Sequence, residues 1–100
     1  EHMKWFRKND AFVLRDIGGI YFAVDIKNKR IYDEKKILSL NRMAYTLLSL
    51  AEKQKVFSSQ TLGDALVPLL LDNIDSVQVY KDIELFLLDL QRKGIIELYE

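Results

Sequence analysis

Apolar and polar residues alternate along the first part of the chain and recur at helical spacing along the rest, so the sequence divides into a β-forming and an α-forming half. Ala11-Phe12-Val13-Leu14-Arg15, after a charged lead-in over Lys4 to Asp10, is a β-rich run stopped by Asp16-Ile17-Gly18-Gly19. Two adjacent glycines accept the positive φ of a tight hairpin turn. Tyr21 to Ile26 then alternates, with Phe22, Val24 and Ile26 on one face and Tyr21, Ala23 and Asp25 on the other, the pattern of a half-buried strand. Lys27-Asn28-Lys29-Arg30 reads as a turn around Asn28, and Ile31 to Lys36 fits either the start of a strand or a longer loop. Lys36-Ile37-Leu38-Ser39-Leu40 supplies a third strand with Leu38 and Leu40 inward and Ile37 and Ser39 outward. As the last strand of a meander it leaves one edge unpaired unless something covers it.

Asn41 is placed to cap a helix over Arg42 to Lys53, whose Met43, Ala44, Leu47, Leu48 and Ala51 recur at core spacing. Ser58-Ser59-Gln60-Thr61 offers caps for a second helix carrying Leu62, Ala65, Leu66, Leu69 and Leu70. Gly63 and Pro68 weaken it, and Pro68, which removes a hydrogen bond and presses on the turn before it, predicts a kink or an early end. Asp72-Asn73-Ile74-Asp75 leads into the longest periodic stretch, Ser76 to Ile96. Here Ser76 serves as cap, Lys93 suits the negative end of the helix dipole, Gly94 takes the left-handed C-terminal position, and a short apolar tail follows.

Projected at about 100° per residue, this third helix carries two apolar stripes. Val79, Ile83, Phe86, Leu87 and Leu90, with Tyr80 at the margin, form the core stripe. Lys81, Leu85, Leu88 and Arg92, with Val77, form an outer one. Isolated exposed leucines are common and need no explanation. Two leucines between two cations also make a wall on which a ligand with apolar anchors and acidic residues would sit, and an open strand edge beside it would accept an extended peptide.

Composition narrows the chemistry. The chain has 100 residues, 49% of them apolar and 30% charged, the balance of one soluble globular core. Fifteen Lys plus Arg offset 15 Asp plus Glu, so no net field draws the chain to nucleic acid or an acidic membrane. Cysteine is absent, which removes disulfides, thiol nucleophiles and thiolate metal sites. No apolar run reaches the roughly 18 residues of a membrane span and no signal peptide is present, which reads as a cytoplasmic location. Glu1-His2-Met3 looks like the remnant of an expression tag ahead of Met3, and its His2 is the sole histidine. No phosphate loop or nucleophile motif is present, and Asp72 and Asp75 read as turn and helix-start residues, so neither a catalytic site nor a cofactor is expected.

Taken in order, Val13-Leu14-Arg15-Asp16-Ile17-Gly18-Gly19, Leu40-Asn41 with Ala44, and Lys81-Asp82-Ile83, Phe86-Leu87, Leu90 and Gly94-Ile95-Ile96 resemble the PqqD-like family of precursor-peptide recognition elements. The first looks like that family's strand with an R-x-x-G-G turn, the second like its L-N-x-x-A helix entry, and the third like its closing D-V-x-x-F-L-x-x-L-x-x-x-G pattern. Two departures accompany the likeness: Glu52-Lys53-Gln54-Lys55 replaces the Asp-Gly turn many members carry, and Ile31 to Lys36 lengthens a connection.

The resemblance implies a single domain over residues 4–100 with an α+β, winged-helix-like fold, a three-stranded antiparallel sheet followed by three helices. It further implies a non-catalytic module that binds the leader of a ribosomally made precursor peptide as a strand beside the third strand and against the third helix. The module would present that peptide to a modifying enzyme, a radical SAM protein in many cases. On this reading Lys36, Ile37, Leu38, Ser39 and Leu40 offer the edge, Lys81, Leu85, Leu88 and Arg92 the wall, and the leader interleaves acidic residues with Leu, Ile or Phe. Two alternatives stand beside it. One is a winged-helix nucleic-acid binder, disfavoured by Asp82, Glu84 and Asp89 on the third helix. The other is an assembly subunit whose outer stripe is a homodimer contact.

Overall fold

The computed structural model describes residues 3–27, 37–70 and 75–100. Its elements run β1 (Phe6–Lys8), β2 (Phe12–Ile17), β3 (Ile20–Asp25), β4 (Ile37–Leu40), α1 (Arg42–Gln54), β5 (Val56–Phe57), α2 (Ser59–Leu66), a 3₁₀ turn (Val67–Leu69), α3 (Ser76–Arg92) and β6 (Ile96–Leu98). The fold is α+β: an antiparallel sheet in the order β2-β3-β4 precedes three helices. The expected turn at Asn28 and the stretch Ile31 to Lys36 lie outside the described residues, as does the connection Asp72 to Ile74.

The β2-β3 hairpin closes as its glycines require. Gly18 and Gly19 have φ of 61° and 85°, the pair of positive values that a two-residue turn matched to strand twist demands. Register then decides which face meets the helices. Leu14, Ala23 and Leu38 stand opposite one another across the three strands, and Ala23 is wholly buried. Tyr21, on the same face, stacks on Tyr45 of α1 with ring centroids 4.5 Å apart. Phe22 and Val24 are only half-buried and Ile26 is exposed, so the more apolar face of β3 is the one turned away from the helices. A small residue at position 23 lets α1 approach the sheet closely.

A second sheet, order β5-β1-β6, was not visible as a pattern. The charged lead-in contains β1, and the apolar tail after α3 is β6, so the two ends of the described chain pair with each other. Phe6, Phe57 and Ile96 enter the core from these three strands, each at most 3% exposed. Strands of two or three residues present one inward side chain apiece, too few to show a period.

The helices end where local chemistry says. Asn41 Oδ1 accepts the Ala44 N–H at 2.7 Å, and Ser58 and Thr61 close a reciprocal capping box over α2. For α3 the cap is Asp75, whose Oδ1 accepts from Gln78 N at 3.3 Å; Ser76, the expected cap, is already the first helical residue. At the other end Ile95 N–H bonds Leu90 O and Gly94 N–H bonds Gln91 O, a Schellman motif with Gly94 at φ 81°. Pro68 ends α2 as expected, turning its last residues into the 3₁₀ segment. Two apolar positions depart from expectation: Met43 is 47% and Leu69 64% exposed. Among the described residues no helix is long and apolar enough to cross a membrane.

Candidate functional site

The free edge of β4 follows from hydrogen-bond parity. Ile26 N–H bonds Ala11 O at 2.8 Å directly across the hairpin, which sets that position, and every second pair along β2-β3, as the hydrogen-bonded kind. Ile20, Phe22 and Val24 therefore direct their peptide groups to β2, and Tyr21 and Ala23 direct theirs to β4. Their partners there are Leu40 and Leu38. Ile37 and Ser39 are left with N–H and C=O pointing away from the sheet, and among the described residues no strand pairs with them. Antiparallel or parallel, an added strand would bond these two residues.

Just past the end of β4 opens a cleft of about 250 Å³. Among the described residues it is lined by the cap Asn41, by Met43, Ala44 and Leu47 of α1, by Leu66 and Leu70 at the end of α2 and its 3₁₀ turn, and by Val79, Asp82, Ile83 and Phe86 of α3. Its position depends on how closely α2 approaches α3. Gly63 meets the Tyr80 ring so tightly that a Cβ there would lie 2.0 Å from Cε1. What reads in the sequence as a weak point of α2 is thus a packing requirement. The Tyr80 hydroxyl donates to Asp64 Oδ1, tying the two helices, and this bond to a carboxylate raises the Tyr80 pKa above the ordinary tyrosine value.

Among the described residues lining the cleft, Asp82 is the charged one. Asp82 is exposed, and its Oδ1 accepts from Gln78 Nε2 at 2.8 Å. The next acid on that flank, Asp89, is paired with Lys93 at 3.0 Å.

The residues expected to form the site are not all brought together. Ile37, Leu38, Ser39 and Leu40 form the edge strand, while Lys36 lies outside the described residues. Lys81, Leu85, Leu88 and Arg92 are exposed as the projection indicates, Leu85 at 67% and Leu88 at 41%. None of them lines the cleft beside β4. Leu88 instead borders a separate cleft of about 430 Å³ with Glu84, Met3, Lys4 and Gln60, on the flank nearer β1. Val79 and Phe86, which line the cleft that Asn41 shares, belong to the stripe read as core and are half-buried. Periodicity finds an apolar stripe but not the margin of it that neighbours leave uncovered, and Asp82 entered only through the closing family pattern and as a charge against nucleic-acid binding, not as a lining residue.

The fold has a solved counterpart. Neither a protein-family profile nor a characterised protein matches the chain by sequence. In three dimensions it is similar to TbiB1, solved in complex with the TbiA(β) leader peptide, with a TM-score of 0.71 over 94% of this chain and 98% of that one at 20% identity. The two share a fold.

Proposed function

We propose that this chain is a non-catalytic peptide-binding module of the precursor-peptide recognition class. It captures a leader segment as an added strand on β4 and presents the attached peptide to a modifying enzyme, for which the family resemblance points to a radical SAM protein. The observation that carries the reading is the pair of outward-facing peptide groups at Ile37 and Ser39 beside an apolar cleft. The shared fold with a protein solved bound to a leader peptide supports it. Backbone bonds at the edge supply affinity, and side chains on the Leu38 and Leu40 face of the added strand enter the cleft and supply selectivity. Holding the peptide near an enzyme raises its effective concentration there, so the module assists catalysis without chemistry of its own. In this reading the wall is Val79 and Phe86, and Lys81, Leu85, Leu88 and Arg92 remain free to meet another protein.

The test is anisotropy with labelled synthetic peptides of alternating apolar and polar residues. Ser39→Pro removes an outward N–H without touching the β3 ladder and should weaken binding about tenfold or more. Met43→Asp, at the exposed cleft rim, should do likewise, while Leu85→Asp with Leu88→Asp should leave affinity within about twofold. A folded Ser39→Pro variant that binds as well as the parent rejects strand addition, and loss of binding in the double variant moves the wall to the outer stripe.

A further inference from the structure

Resting on that peptide-binding reading, we infer that Asp82 selects a bound strand bearing Lys or Arg among its cleft-facing residues. Among the described residues, the cleft is otherwise lined by apolar side chains and by Asn41, whose Oδ1 is occupied by the Ala44 N–H. Asp82 is thus the single charged side chain among the described residues lining it. Its carboxylate keeps capacity for a partner: Gln78 Nε2 takes Oδ1, and no ion pair to Asp82 is formed by the described residues. Asp89 on the same flank is already neutralised by Lys93, which leaves Asp82 as the point of preference.

Side chains of a strand added to β4 alternate between the outer sheet face and the helix-facing side. Only the second set reaches Val79, Asp82 and Phe86, so the selected ligand has apolar residues at alternate positions with one cation among them. An acidic residue at that position meets Asp82 as a like charge and a neutral one leaves it unpaired. The preference runs opposite to the acidic leader that Lys81 and Arg92 would favour, so the sign of the selectivity reports which flank of α3 is the wall.

Three peptide series test this, each an alternating Leu/Thr strand in which a single Lys, Gln or Glu is walked through every position. Affinities are measured by anisotropy against the parent, Asp82→Asn and Asp82→Lys. At one or two positions of the same parity the Lys peptide should bind the parent about fivefold tighter than the Gln peptide, with the Glu peptide weaker still. Asp82→Asn should flatten the difference and Asp82→Lys should invert it. Equal binding of the three series to the parent overturns the role of Asp82 and leaves the peptide-binding reading in place. So does a Lys preference that persists in Asp82→Lys, or a Glu preference in the parent. Absence of binding by every peptide overturns the reading itself and the inference with it. Asp82 is exposed, so both variants should keep the parent's circular dichroism.

Discussion

Replacing Gly63 by Ala sets two effects of opposite sign against each other. Within a helix, alanine is favoured over glycine by about 1 kcal/mol, so on propensity alone the change stabilises α2. Against this, the new Cβ would lie 2.0 Å from Tyr80 Cε1 and 2.3 Å from Cδ1. Carbon atoms rest about 3.5 to 4.0 Å apart, so the ring must retreat by roughly 1.5 Å. It is not free to do so: its backbone belongs to α3 and its hydroxyl is bound to Asp64 on α2. Either that bond breaks or the helices separate, loosening the contacts of Leu62, Leu66, Ile83 and Leu87. Overpacking of this kind costs about 1 to 3 kcal/mol, and a displacement too large for a rotamer adjustment belongs in the upper part of that range. The net expectation is a loss of about 1 to 2 kcal/mol. In a Tyr80→Ala background the obstacle is gone and the same substitution should stabilise by up to about 1 kcal/mol. Urea unfolding followed by helical circular dichroism measures all four corners of this cycle. A Gly63→Ala variant as stable as the parent, or an equal effect in both backgrounds, would refute the argument that Tyr80 is why position 63 is glycine.

Two further outcomes bear on elements that the pattern alone misplaced. Asp75→Ala should cost about 1 kcal/mol through loss of the α3 cap, whereas Ser76→Ala should change stability by less than about 0.5 kcal/mol; the reverse order in denaturant midpoints would return the cap to Ser76. Ile96, 1% exposed in β6, should cost about 2 to 4 kcal/mol on replacement by Ala, and a tolerant Ile96 would mean that the second sheet does not contribute to the core.

Features governed by nearest neighbours were legible. The Gly18-Gly19 turn, the Asn41 cap, the break at Pro68 and the end of α3 at Gly94 each depend on a few consecutive residues and on conformations only certain side chains permit. The same holds for the buried stripe of α3, since Ile83, Leu87 and Leu90 are set at one helical period. The edge strand was legible too, with Leu38 and Leu40 inward and Ile37 and Ser39 outward.

What stayed hidden depends on contacts between distant segments. Pairing of β1 with β5 and β6 joins residues 6–8 to residues 56–57 and 96–98, and strands so short carry no signal until their partners are in place. Alternation in β3 marked Phe22, Val24 and Ile26 as the more apolar face, but the close approach of α1 over Ala23 turned the other face to the helices. The wall of the cleft is the sharpest case. Sequence determined that α3 has a buried stripe and an outer stripe of Lys81, Leu85, Leu88 and Arg92. Tertiary structure decided which margin of α3 lines a cleft with the start of α1. Val79, Asp82, Ile83 and Phe86 share that cleft with Asn41 and the start of α1, because the depth to which neighbours cover a helix depends on how α1 and α2 pack against it, and the period of one helix carries no information about that.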